Sequence, residues 1–276
     1  MKIGLSTLLF VRSSIEESVK AIAALGSDLV EIVYDAPHFT SEKDRDKLPG
    51  LKEIIDSAGL DVTIHGSFWD LNPASHHHEV REISLKQAKL SIEACRFLGG
   101  AVVILHPGRI AVPELESSAR GANQRYLAQL KECLAFAKDR GVRLSLENIN
   151  FPYYLYPSIE DISELIENYE GIGLCLDIAH AYRYMKSVKK SEPEVRIAQA
   201  IKQLRRQIVH VHIHDNHGES DEHLIPGDGS INFEPIVAAL KATRYSRMVA
   251  IELFDLGNAL ETGRVGLERV RKHLRQ

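Results

Sequence analysis

Short apolar runs and longer amphipathic runs alternate along this chain eight times, without a break. The apolar runs fall at residues 2–7, 28–34, 61–65, 101–106, 142–147, 171–177, 208–212 and 247–252. Helical spacing predicts a helix from Ser14 to a stop at Gly26, then helices over 41–58, 79–98, 117–140, 158–168, 192–206, 233–243 and 261–274. Ser14 and Glu17 have capping-box spacing, and glycines at 59, 99 and 141 follow the next three helices. Leu127, Leu130 and Leu134 share one helix face. Strict alternation implies parallel strands joined by right-handed crossovers. Eight such units in 276 residues favour a closed barrel, which needs about 250. No glycine fingerprint follows the first strand, as an open dinucleotide-binding sheet would require. The expected fold is therefore α/β, a single (β/α)8 TIM barrel filling residues 1–276 as one domain.

Composition narrows the partners. Apolar residues make up 44% of the chain and charged residues 26%, which excludes a disordered or collagenous chain. No apolar run approaches the ~18 residues of a membrane span, and the opening MKIGLSTLLFVRSS is too short for a signal peptide. No membrane partner is expected. Lys and Arg total 34 against 38 Asp and Glu, for a net charge of −4, a mild argument against duplex binding. Cys95, Cys133 and Cys175 are far apart, with no Cys-x-x-Cys, and read as free thiols in a reducing cytoplasm. The unusual number is 13 histidines, which directs attention to metal.

In a closed barrel the C-terminal strand ends converge on the face that holds the active site. The last residues of six consecutive predicted strands are His65, His106, Glu147, Asp177, His212 and Glu252. One strand-end His or carboxylate is more often a satisfied polar group; six at one mouth point to a metal centre. Mixed nitrogen and oxygen ligands suit Zn first, with Mn or Co as alternatives. His180, three residues after Asp177 and one turn away if a helix begins there, and the loop residues Asp221 and His223 extend the set. With four ligands enough to saturate a tetrahedral ion, nine imply two or three ions. The run His76-His77-His78 reads as a solvated turn. His210 should share the inward face with His212, and His214 lies beyond the strand end; a satisfied hydrogen bond is the default for both.

These residues resemble the xylose isomerase-like TIM-barrel superfamily, which includes sugar phosphate isomerases and epimerases and endonuclease IV. The likeness runs over nearly the whole chain. It is most specific at ILHPG, LEN, LDIAHA, HIHDN…DEHLIPGDGSINF and the closing IEL. The endonuclease IV pattern of nine ligands and three zinc ions falls on His65, His106, Glu147, Asp177, His180, His212, Asp221, His223 and Glu252. In the isomerases and epimerases a single metal site would be Glu147, Asp177, His212 and Glu252, with the glutamates also the acid–base pair. The chain departs from endonuclease IV at Ile178 and Ala179, at His214 in place of Asn, at Glu222 in place of Arg, and in its aromatic strand-five loop. Phe68 stands near the place of an aromatic that probes the DNA stack.

The leading expectation is a divalent-metal-dependent isomerase or epimerase of a sugar or sugar phosphate, with Glu147 and Glu252 moving a carbon-bound proton. Arg109 could take a phosphate in a bidentate fork. Trp69 and the loop Phe151–Tyr156, Tyr154 included, could cover the sugar. The alternative is an endonuclease IV-type phosphodiesterase acting on DNA with an abasic site, with Glu147 bridging two ions and Asp221 and His223 holding another. A sugar-binding barrel without catalysis is the third reading.

Overall fold

A computed structural model describes residues 1–275. Its strands are β1 (Lys2–Ser6), β2 (Leu29–Val33), β3 (Asp61–His65), β4 (Val102–Leu105), β5 (Arg143–Glu147), β6 (Ile172–Asp177), β7 (Ile208–Ile213) and β8 (Met248–Ile251). Each pairs in parallel with the next, and β1 pairs with β8 from Lys2↔Met248 to Leu5↔Ile251, which closes the barrel. Strands covered on both faces carry continuous rather than alternating burial, and LVEIV, IGLCLD and IVHVHI are buried throughout.

The helices are α1 (Ile15–Ala24), α2 (Leu48–Ala58), α3 (His78–Leu98), α4 (Glu116–Lys138), α5 (Ile159–Glu167), α6 (Ile178–Ser187), α7 (Pro193–Gln203), α8 (Phe233–Ala242) and α9 (Ala259–Arg275). Capping boxes at Ser14 and Ser158 start α1 and α5, and left-handed Gly59 and Gly99 end α2 and α3. Two expectations need correction. Residues 41–58 do not form one helix: a 3-10 turn at Glu42–Lys47 precedes α2, which begins only at Leu48. Pro49 has no N–H to give, so it is tolerated in a first turn and not in an interior. The second correction is α6, absent from the predicted helices. Asp177 is both the last residue of β6 and the N-cap of α6, accepting the His180 N–H at 2.6 Å. No turn residues separate the two elements, so nothing in the sequence punctuates the change.

Among the described residues no helix is long and apolar enough to cross a membrane. The three cysteines are free and buried, and burial pushes the thiols of Cys95 and Cys133 up to about 12.

Candidate metal centre

Six expected site residues do meet at the C-terminal mouth, but not all as last strand residues. His65, Glu147 and Asp177 end their strands, His106 and Glu252 lie one residue beyond theirs, and His212 is one before the end of β7. Strand side chains alternate in and out. Counting back by two from the six gives Thr63, Ile104, Ser145, Cys175, His210 and Ala250, all buried in the layer beneath.

Among the described residues four groups of potential ligand atoms form; three of them together contain all nine expected residues, and the fourth is Cys175, His210 and His212 in and beneath that layer. The first is His65, His106 and Glu147. The Nε2 atoms of His65 and His106 are 3.2 Å apart, and each is 3.3 Å from Glu147 Oε2. A tetrahedral ion with bonds of about 2.0–2.1 Å holds its ligand atoms about 3.3–3.4 Å apart, so this triangle matches one face of such a site. His65 Nδ1–H donates to the Gly66 carbonyl at 3.0 Å, which leaves Nε2 free to ligate.

The second group is Glu147, Asp177, His212 and Glu252. His212 Nδ1 lies 3.6 Å from Glu147 Oε2, 3.8 Å from Asp177 Oδ2 and 3.5 Å from Glu252 Oε2. Glu147 Oε2 thus faces both groups, the position of a bridging carboxylate. Buried His212 Nδ1 and Asp177 Oδ2 have no hydrogen-bond partner. Orphaned buried polar atoms are costly, and here they converge on one point, as metal ligands would. The residues fit a divalent ion.

Electrostatics separates the two glutamates. Burial alone would raise both. For Glu147 the positive His212 and His106 and hydrogen bonds from His106 and His180 outweigh it and hold the carboxyl well below its usual range. For Glu252 burial prevails, reinforced by the negative Glu31 and Glu147 against the pull of His212, and its carboxyl rises to about 7. Burial also opposes charge on His212, but Cys175, Glu252 and Glu31 raise it well above the ordinary histidine range. An ion must displace that proton to bind Nδ1.

Glu31 on β2 is the residue that sequence reasoning missed. Fully buried, it lies 3.1 Å from His212 Nε2 and 2.8 Å from His210 Nε2, and it accepts a hydrogen bond from Thr63 Oγ1 at 3.1 Å. A carboxylate behind a histidine fixes the tautomer and turns the other ring nitrogen toward the metal. An acidic residue inside the otherwise apolar run LVEIV was the available signal.

The third group is His180, Asp221 and His223, joined by His214. Asp221 Oδ2 is 3.0 Å from His180 Nε2 and 3.4 Å from His223 Nε2. His223 Nδ1–H donates to the Glu252 carbonyl at 3.0 Å; burial opposes charge on the imidazole, but the hydrogen bond to Asp221 and its negative charge outweigh it and raise the ring to about 9. The loop pair therefore lies within a group of potential ligand atoms, partly buried at the barrel mouth. His214 departs from expectation: it is fully buried, yet neither ring nitrogen has a hydrogen-bond partner. His210 departs in the same way: neither ring nitrogen makes a hydrogen bond of good geometry, although Nε2 faces Glu31 at 2.8 Å. His76 and His77 are solvent-facing as expected, while His78 opens α3.

A cleft of about 480 Å³ opens above the metal groups, lined by Phe68, Trp69, Arg109, Phe151 and Tyr154 with Asp35, Asp70, His106, His180 and Asp221. All four expected substrate contacts reach it. Phe68 packs on His65 and His106, with ring centres 5.0 and 4.5 Å away, and Trp69 packs on Phe68 while remaining 42% exposed. Arg109 gives one N–H to the Leu71 carbonyl at 2.7 Å. The aromatic loop divides: Phe151 and Tyr154 face the cleft, whereas Tyr156 packs against Tyr126.

Comparison with known proteins agrees with this architecture. An uncharacterized protein of Methanocaldococcus jannaschii is 32% identical over 95% of this chain and 87% of its own length. A probable endonuclease 4 of Mycobacterium leprae is 26% identical over 78% of this chain and 81% of its own. A solved D-tagatose 3-epimerase-like protein superposes with a TM-score of 0.84 at 29% identity, covering 100% of this chain and 97% of the other. Residues 19–275 match the family model of the xylose isomerase-like TIM barrel, and the chain belongs to that family.

Proposed function

We propose that this chain is a divalent-metal-dependent isomerase or epimerase of a small sugar or sugar phosphate. The observation that carries the reading is geometric: Glu147 and Glu252 each bring a carboxylate oxygen to His212 Nδ1, at 3.6 and 3.5 Å, in one group of potential ligands at the barrel mouth. Two carboxyls on one ligand set can serve as the base and the acid of exchange at carbon. A bound ion, Zn most readily and Mn or Co as alternatives, would supply Lewis acidity to adjacent sugar oxygens and acidify the neighbouring carbon-bound proton. Glu147, Asp177, His212 and Glu252 would hold it. Glu147 takes the proton from carbon as an ionised base. Glu252 delivers a proton from the other side and is left as a carboxylate, which Glu147 recharges through exchange with solvent. Phe68, Trp69 and Tyr154 cover the sugar, and Arg109 binds a hydroxyl or phosphate at the rim.

The cleft supports a small substrate. Asp35, Asp70 and Asp221 line it against a single guanidinium, that of Arg109. That lining opposes a DNA backbone, whose binding depends on neutralised phosphates. The D-tagatose 3-epimerase-like structural relative points the same way. One observation favours the second reading, an endonuclease IV-type phosphodiesterase: the nine expected residues fall into three neighbouring groups, two of which share Glu147, as a multi-ion hydrolase would need.

The test uses metal-loaded protein with ketoses and ketose phosphates in heavy water, alongside a duplex carrying one abasic site. Deuterium at a single carbon of one sugar, lost in Glu147→Gln, is the expected result. Nicking of the duplex at catalytic enzyme concentration, with no exchange on any sugar, would replace this reading by the second.

A further inference from the structure

We infer that His214 is a fourth protein ligand of the loop-held ion, beside His180, Asp221 and His223, and that this site is a closed structural clamp. The inference rests on the metal-dependent reading above and adds a role to a residue that reading does not use. His214 is fully buried, and neither ring nitrogen makes a hydrogen bond of good geometry: Nδ1 has no partner, and Nε2 faces Asp177 Oδ2 at 3.2 Å without bonding to it. A buried imidazole without partners is unfavourable unless something else occupies a nitrogen. Its ring lies 4.0 Å from that of His223 and within 10° of parallel. Both Nε2 atoms approach the Asp221 carboxylate, His214 at 3.9 Å from Oδ1 and His223 at 3.4 Å from Oδ2. His180 Nε2 approaches from the other side at 3.0 Å from Oδ2. These distances bracket the ~3.3–3.4 Å ligand spacing of a tetrahedral zinc site.

The surrounding loop shows what such a clamp would hold. The connection from β7 to α8 is fastened at one end by Asp215, whose carboxylate accepts the N–H groups of Gly227, Gly229 and Ile231 at 2.8, 3.1 and 3.2 Å. Backbone bonds between Asp215 and Leu224, at 2.8 and 3.0 Å, close the base of the arm that carries Asp221 and His223. An ion on His180, His214, Asp221 and His223 would tie that arm to the start of α6 and the end of β7. Four protein ligands mark structural zinc sites, whereas catalytic ones keep a position open. Ions at this site would therefore not exchange a ligand for a phosphate oxygen.

A competing role for His214 is visible, since its Nε2 also lies 3.2 Å from Asp177 Oδ2. The experiment separates the two. Wild type, His214→Asn, Asp221→Ala and the double variant are titrated with zinc against a chelator, and bound zinc is counted by elemental analysis. His214→Asn should weaken one ion by at least about 100-fold, at or beyond the 10–100-fold that loss of a supporting outer partner costs. The double variant should lose no more ions than Asp221→Ala alone. In cobalt-substituted wild type, the absorption of the site that Asp221→Ala removes should not change when inorganic phosphate is added. Unchanged zinc binding in His214→Asn overturns the inference. So does an additional ion lost in the double variant, which would assign His214 to the Asp177 group, or a phosphate-dependent spectrum at the loop site. If circular dichroism shows His214→Asn unfolded, His214→Gln is titrated instead, and the phosphate measurement on wild type stands by itself. Wild type that binds no ion would overturn both this inference and the metal-dependent reading; failure confined to His214 leaves the sugar-exchange test untouched.

Discussion

The two sides of the candidate metal centre are built differently. Glu147, Asp177, His212 and Glu252 sit at or beside the ends of four neighbouring strands, and none is more than 4% exposed. Asp221 and His223 come from a loop and keep 22% and 16% of their side-chain surface. A barrel strand cannot move without breaking its ladders to both neighbours, so the strand-held group is preorganised and dry. Three carboxylates around one imidazole then leave surplus negative charge with little water to screen it, and a proton or a cation must compensate. The raised carboxyl of Glu252 is the protonic form of that compensation. The loop-held group has more imidazole than carboxylate and stays closer to water, so its assembly depends on loop conformation. On the proposed reading, proton transfer falls to the strand-held side, and the loop-held side contributes shape.

The sharpest way to break that comparison is to disable one side at a time. Glu147→Gln keeps the shape of the side chain but cannot accept a proton, so sugar exchange should fall by about 10²–10⁴ while substrate binding changes much less. Asp221→Asn should cost far less in the same assay. Equal losses in the two variants, measured as deuterium incorporation under saturating substrate, would mean that the loop side shares the chemistry.

The next largest effect is on stability without metal. Folded, Glu252 holds its proton to about 7; its ordinary value is 4.5. Between those values the folded state binds more protons than the unfolded one, so this group's contribution is full below pH 4.5 and is lost as pH rises through 7. In metal-free protein Glu252→Gln should therefore gain on wild type from pH 5 to pH 8, by roughly 3 kcal/mol at the plateau. Urea melts of both proteins across that range measure it. A pH-independent difference would remove the argument that Glu252 is the strained member of the strand-held group.

Much of this was legible in the sequence, for reasons that also explain the gaps. Strand–helix alternation reports topology because parallel strands need crossovers, and the strand-end residues report the mouth because side-chain direction follows strand position. Asp221 and His223 were legible as candidate ligands mainly through the family resemblance, since a loop has no period from which to read direction. Glu31 was hidden by the burial of β2 on both faces: without alternation, nothing in LVEIV distinguishes a side chain that points into the barrel from one that points at a helix. His214 was hidden differently. Its neighbours in space, His223 and Asp177, come from separate elements, and the lack of a hydrogen bond is a property of packing.

Glu31 also gives the finest test of the contrast between the two sides. In the strand-held group His212 is backed by a charged carboxylate, with Nε2 3.1 Å from Glu31 Oε1. In the loop-held group His223 is backed by a neutral backbone carbonyl at 3.0 Å. Burial opposes the charge on Glu31, but His212 and His210 outweigh it and keep the carboxyl well below its ordinary value. The charged partner makes His212 more basic and holds Nδ1 toward Glu147, Asp177 and Glu252. Glu31→Gln preserves volume and removes the charge; its amide can also present an N–H to His212 and favour the wrong tautomer. Affinity for the strand-held ion should drop about 10–100-fold, the usual cost of losing a carboxylate behind a metal-binding histidine. The loop-held ion, with no contact to Glu31, should be unaffected. Chelator titration of the variant, counting ions released at each step, reads both at once. A uniform weakening of every ion would mean that Glu31 acts through the stability of the barrel, and an unchanged profile would mean that His212 is oriented by packing alone.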